Sequence, residues 1–230
     1  MDDLGELAPR VRENKVTERS DRRWSKTSLP VVALIVICVL IELILQIGDT
    51  GLLGIPRFRA LVYEQAGFWP GLLANWRANY PFQEFAMFLT HGFLHAGLWH
   101  LALNMITLWS LGSAVHARVG GVKFLLIYGI SILGGGLGYA LLADSYRPMV
   151  GASGALFGLA GALLAWDYVD RFALSQRLWP VARAALLLAA LNVALYYAMG
   201  GLLAWEAHLG GFVTGWIAAL LVDPRGRRHA

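Results

Sequence analysis

Residues 29–47 read LPVVALIVICVLIELILQI. Apart from Glu42 and Gln46 toward the far end, the run is apolar. A helix needs roughly 20 such residues to cross the hydrocarbon core of a bilayer. The stretch before it, residues 1–28, is polar and charged, too long and too mixed for the basic start of a secretory signal. No small-residue cleavage site follows the run. It therefore reads as a retained membrane helix. Its Cys38 is the only cysteine of the chain, so no disulfide can form within one copy. With no histidine near it in sequence, Cys38 reads as a buried, inert thiol.

Composition extends the membrane reading to the whole chain. Of 230 residues, 57% are hydrophobic and 15% charged, whereas about a quarter of a soluble domain is charged. Five more apolar segments follow, at about 91–113, 121–143, 150–168, 181–199 and 205–222. The expected fold is an all-α integral membrane bundle of six transmembrane helices over residues 29–222, with tails at 1–28 and 223–230. Six spans put both tails on one side. With that side cytoplasmic, the inner segments hold Arg10, Arg12, Lys15, Arg19, Arg22, Arg23, Lys26, Arg118, Lys123, Arg171, Arg177, Arg183, Arg225, Arg227 and Arg228. The outer segments hold only Arg57, Arg59, Arg77 and Arg147. This asymmetry is the positive-inside pattern, with both termini cytoplasmic. It fits a bacterial inner membrane. The basic tails suit anionic lipid. A net charge of +4 spread over membrane flanks forms no groove for nucleic acid. The long connection at 48–90 is rich in aromatic residues. Trp69, Trp76 and Tyr80 suit the membrane interface, so short helices lying on or partly in the bilayer are expected there.

Polar residues at membrane depth are the first place to look for function, because lipid cannot satisfy them. His91, His95, His100 and Asn104 belong to the second span, Ser153 to the fourth, and Glu206 with His208 to the sixth; Glu42 lies in the first. His100 and Asn104 are four apart and share a helix face, while His95 is rotated away from His100. A metal site needs three or four converging ligands, and no HExxH pair or cysteine ligand accompanies these histidines, so no metal is expected. Gly211 and Gly215 form a small-xxx-small pair on the stripe of His208. Gly154 and Gly158 form another beside Ser153. Such pairs let two helix backbones come close. Taken separately they are ordinary packing seams. If the two faces meet, Ser153 and His208 come within hydrogen-bond reach.

That meeting would have chemical content. A serine hydroxyl is a poor nucleophile until a base takes its proton, and neutral histidine is the usual base. Acyl transfer also needs donors where the oxyanion forms. Ser153 lies near a helix start, where free backbone N–H groups favour negative charge. His100 and Asn104 can add side-chain donors. No third triad member is evident: Glu206 is two residues from His208 and points elsewhere, and Asp144 and Asp167 flank helix ends. A Ser–His dyad is expected. The soluble-hydrolase elbow G-x-S-x-G does not apply, since Ala155 stands where it needs glycine. A two-aspartate mechanism lacks its residues at bilayer depth. Glu42 reads as solvated or hydrogen-bonded rather than chemical.

Three motifs, HAGLWHLALNM at 95–105, GASGALFG at 151–158 and AHLGGFVTG at 207–215, resemble in content and order the second-, fourth- and sixth-helix motifs of the rhomboid family of intramembrane serine proteases. The resemblance implies Ser153 as nucleophile, His208 as general base, and His100 and Asn104 as oxyanion-binding side chains beside the Ser153 N–H. It implies that Phe157 packs against the catalytic histidine, with Gly151 and Gly154 lining the site, and that His95, Gly211 and Gly215 are structural. One departure stands out. A tryptophan–arginine pair is common in the family eight or nine residues before the position of His95; this chain has Ala86 and Met87 there, and a Trp76–Arg77 pair earlier. The expected function is an intramembrane serine endopeptidase cutting transmembrane segments of membrane proteins, with no cofactor. The alternatives are a rhomboid-like pseudoprotease that binds transmembrane clients, and a transporter using the buried histidines and asparagine as an ion path.

Overall fold

A computed structural model describes residues 28–144 and 146–223. The expected tails, 1–28 and 223–230, lie outside the described residues except for Ser28 and Asp223. The described chain is helical, with one isolated antiparallel bridge between Phe68 and Met149. Helix α1 is Leu29–Asp49, opened by Pro30, whose missing N–H costs nothing in a first turn. Short helices α2, Phe58–Ala66, and α3, Gln83–Thr90, follow in the long connection. The remaining helices are α4, Leu98–Val119, α5, Gly121–Leu142, α6, Ser153–Ala173, α7, Trp179–Ala198, and α8, Trp205–Val222.

Among the described residues, five helices, α1, α4, α5, α7 and α8, are long and apolar enough to cross a membrane. The chain is thus an all-helical integral membrane protein. Helix α6 is equally long but is not in that set; it carries Asp167, Asp170 and Arg171 near its end. It needs no apolar lipid face, because it packs against both α5 and α8 with Leu156, Leu159, Ala162, Ala165 and Trp166 buried. The second span starts at Leu98 rather than at residue 91. His91–Phe93 forms a separate 3₁₀ turn, and Gly97 adopts φ 101° immediately before the helix. His91 and His95 are therefore not on the helix of His100.

Helices α5, α6 and α8 pack most closely, through bare backbone. A Cβ atom at Gly211 would strike the carbonyl oxygen of Gly154, and one at Gly215 that of Gly158. On the other side of α8, a Cβ at Gly210 would lie 2.8 Å from the α-carbon of Gly138. Two glycine pairs were visible in the sequence; the third contact, with α5, uses Gly134 and Gly138 from the run LGGGLG. Around this centre, Val31, Leu34, Cys38, Met105, Leu108, Phe124 and Ile132 join α1, α4 and α5 into one apolar cluster. At the far end, Arg118 of α4 binds Asp170 of α6 and Asp223 after α8, both at 3.1 Å, and lies over the Trp166 ring. Helix α7 is peripheral, with only Val181 buried.

The connection at 48–90 has the expected short helices but folds back onto the bundle. Phe68, Met87 and Gln83 are fully buried. Phe68 and Met149 exchange two backbone hydrogen bonds, 3.0 and 2.9 Å, tying the connection to the segment that leads into Ser153.

The glycine crossing sets a stability expectation. Replacing Gly215 with leucine forces α6 and α8 apart and should cost about 1–3 kcal/mol or more in unfolding from mixed micelles. Gly129→Ala, where a Cβ meets nothing within 4 Å, should be neutral or gain up to about 1 kcal/mol by helix propensity.

Candidate active site

The site is built at the Ser153 end of the α6–α8 crossing. Ala152 caps α6 and Ser153 is its first residue. The first hydrogen bond of the helix runs from the Leu156 N–H to the Ala152 carbonyl, 3.1 Å. The N–H groups of Ser153 and the next residues precede that bond and have no partner within the helix. Because the glycine crossing holds α8 against α6, His208, three residues before Gly211, reaches Ser153. Its Nε2 lies 2.8 Å from Ser153 Oγ. The imidazole is buried, and Phe157 stacks on it with ring centroids 4.2 Å apart and planes within 7°.

The other ring nitrogen has a partner that sequence reasoning missed. His208 Nδ1 lies 2.7 Å from Oδ1 of Asn192 on α7. Nδ1–H donates to that oxygen, which leaves the Nε2 lone pair free to accept the Ser153 hydroxyl proton. Asn192 occupies the place in space of a third triad member, but it is an amide and brings no charge. Glu206 lies in the first turn of α8 and is not the partner of either His208 ring nitrogen. In sequence Asn192 stands as a lone polar residue in ALLLAALNVALYYA, a signal equal to that of Asn104. Without a motif around it, nothing connected it to a histidine 16 positions away.

His100 lies across Gly151 from Ser153, and Asn104 follows it by one turn of α4. A Cβ on Gly151, whose φ is 131°, would lie 2.8 Å from Cε1 and 3.0 Å from Nε2 of His100, and 3.8 Å from Ser153 Oγ. Gly151 thus keeps open the space between the histidine edge and the serine. Its N–H donates to the His91 carbonyl, 3.0 Å. The His91 ring bonds the Met87 carbonyl through Nδ1, 2.8 Å, and packs edge-on against Phe68. Asn104 is buried and donates one amide hydrogen to the His100 carbonyl at 2.7 Å, leaving the second N–H for another acceptor. His95 is fully buried, with its ring 5.3 Å from that of His100. Among the described residues, no group of three His, Cys, Asp or Glu side chains is placed to hold a metal ion.

Of its two expected readings, Glu42 shows the hydrogen-bonded one and is not solvated. It is fully buried and paired with Arg59 of α2 at 2.8 Å, and Gln46 donates to it at 2.8 Å. An unpaired carboxylate at that depth would be costly, and a bidentate arginine offsets the cost.

A serine at a helix start, its hydroxyl on a buried histidine and a second histidine across Gly151, has the chemistry that acyl transfer requires. Comparison with known proteins agrees on the family. The Rhomboid domain model matches residues 82–225, and the chain belongs to the rhomboid family. Rhomboid protease GluP of Bacillus subtilis (strain 168) is 37% identical over 139 residues, 59% of this chain and 26% of that protein. RHOMBOID-like protein 6, mitochondrial, of Arabidopsis thaliana is 33% identical over 156 residues, 66% of this chain and 48% of that protein. Rhomboid-like protease 3 of Toxoplasma gondii is 33% identical over 124 residues, 54% of this chain and 46% of that protein. The chain spans less than half the length of each of these relatives.

The Asn192 bond makes a prediction about the serine itself. Ser153 should be the residue labelled by a fluorophosphonate. Asn192→Leu, which frees the His208 ring to take the other tautomer, should slow labelling on the order of tenfold, a part of the 10²–10⁴ that positioned base catalysis contributes. Time-resolved labelling followed by intact-mass analysis checks this.

Proposed function

We propose that this chain is an intramembrane serine endopeptidase that cleaves transmembrane segments by a Ser153–His208 dyad. The observation that carries the reading is the 2.8 Å hydrogen bond between Ser153 Oγ and His208 Nε2, at a helix start with unpaired N–H groups. Two of the relatives named above are called proteases, which supports the same class.

In the proposed reaction His208 Nε2 takes the Ser153 proton as Oγ attacks the scissile carbonyl carbon. The carbonyl oxygen becomes the oxyanion, held by the Ser153 N–H, by His100 Nε2–H and by the free N–H of Asn104. The imidazolium, steadied through Nδ1 by Asn192, then gives its proton to the leaving amine, and the C–N bond breaks. Water attacks the remaining acyl ester with His208 again as base, releasing the acid and restoring the serine. The substrate is proposed to be a transmembrane helix that enters from the lipid and unwinds locally, because a hydrogen-bonded helix shields its own carbonyls. Small or helix-weakening residues near the cut favour this. Six spans, counting α6, with both termini cytoplasmic and the site toward the outer face of a bacterial inner membrane, are part of the proposal. Residues 29–222 are proposed as the membrane domain, with tails on either side.

The test is cleavage of a reporter transmembrane substrate in liposomes. Ser153→Ala and His208→Ala, each checked for native folding, should lose cutting to at most about one part in a thousand of the parent rate. Cutting that survives Ser153→Ala would sink the serine mechanism. If no form cuts any of several substrates, yet the parent retains them on a column, the client-binding pseudoprotease replaces this reading.

A further inference from the structure

Glu42, Arg59 and Tyr63 lie before residue 82, where the matched Rhomboid domain begins, yet they reach toward the site through one peptide group. Both carboxylate oxygens of Glu42 accept from Arg59, Nη2 to Oε1 at 2.8 Å and Nη1 to Oε2 at 3.0 Å, while Arg59 Nε binds Asp49 at 2.6 Å. The guanidinium is thereby held at three points. Its Nη1 also donates to the backbone carbonyl of His95, 3.0 Å, and Tyr63 Oη–H donates to the same oxygen, 2.6 Å. Burial raises the Tyr63 phenol above its ordinary pKa, which keeps it a donor.

The His95 carbonyl and the Ala96 N–H belong to one planar peptide unit, so fixing the oxygen fixes the direction of the hydrogen. That N–H points to Nδ1 of His100, 3.2 Å away. An amide N–H can only donate, so Nδ1 is the acceptor. A neutral imidazole that accepts at Nδ1 carries its proton on Nε2. The Nε2 edge is the one that faces Gly151 and Ser153. Two donors on the carbonyl also polarise the unit and strengthen its N–H as a donor.

We propose that the Glu42–Arg59 pair, with Tyr63, acts through the His95–Ala96 peptide to hold His100 as the Nε2–H tautomer, so that a donor faces the space beside Ser153. Glu42, Arg59 and Tyr63 are positioning residues; none touches the reacting atoms. The assignment of a catalytic use to that donor rests on the protease reading above. The tautomer itself does not.

The test uses the full chain in detergent micelles with ¹⁵N-labelled histidine, the His100 ring signals assigned by their loss in His100→Gln. The parent should show His100 with Nε2 protonated and Nδ1 bare. Arg59→Gln should move a measurable fraction to the other tautomer, read as exchange-averaged shifts of both ring nitrogens. Tyr63→Phe, which leaves the ion pair intact and so guards against misfolding, should shift them less in the same direction. Unchanged His100 nitrogens in either folded variant overturn the proposal. In the liposome assay, Arg59→Gln should lower kcat on the order of tenfold with KM nearly unchanged, a part of the 10²–10³ loss typical of removing an oxyanion donor. On a His100→Ala background the same change should cost nothing further. An equal loss on both backgrounds also overturns the relay, since it marks a pair that only holds the connection in place. A parent that cuts nothing defeats the protease reading, while the ring spectrum still decides the relay.

Discussion

The close crossing of α6 and α8 is the constraint from which the rest of the molecule follows. Lipid is as apolar as leucine, so burying apolar side chains does little to draw membrane helices together. Packing and polar contacts must do it. Here Gly154 and Gly158 face Gly211 and Gly215 so closely that a single added carbon would meet backbone oxygen. With α5 against the other edge of α8 through Gly138 and Gly210, three backbones form one rigid unit. Ser153 and His208 sit at the end of that unit, and their 2.8 Å contact needs no loop to hold it.

Polar groups in this bundle are handled in pairs and networks around that unit. At one end Arg118 joins α4, α6 and the end of α8 through Asp170 and Asp223. Near the other, Glu42 of α1 is satisfied by Arg59 and Gln46. Between them the histidine ring has both nitrogens engaged, one by Ser153 and one by Asn192. The connection at 48–90 contributes Arg59 and Tyr63 to the Glu42 network and, through Phe68, anchors the segment leading into Ser153. It is a wall of the bundle as much as a link between helices.

Much of the fold was legible from residues 29–47 and the later apolar runs, because a span is a local property of length and hydropathy. The start of the second span was not, since Gly97 breaks the helix at a point where apolar composition continues. Helix α6 shows the converse: its neighbours, not its own hydropathy, make it a central helix. Ser153, His208, His100 and Asn104 stood out as polar residues in apolar surroundings, and the glycine pairs beside Ser153 and His208 pointed to a shared face. Asn192 gave the same local signal without a neighbouring motif. Glu42 gave one too, but its partner Arg59 lies in a connection whose path back to the bundle has no periodicity to read.

The amino-acid sequence by itself determined that the chain is an all-helical membrane protein, where its long helices run, and which motifs mark it as a rhomboid. Those properties depend on composition and spacing along single segments. The tertiary structure decided which polar groups meet: the Asn192–His208 bond, the burial of Glu42 against Arg59, and the orientation of the His95–Ala96 peptide toward His100. A hydrogen bond between helices depends on their rotation and crossing. Those are set jointly by every contact in the bundle, so no one segment carries the information.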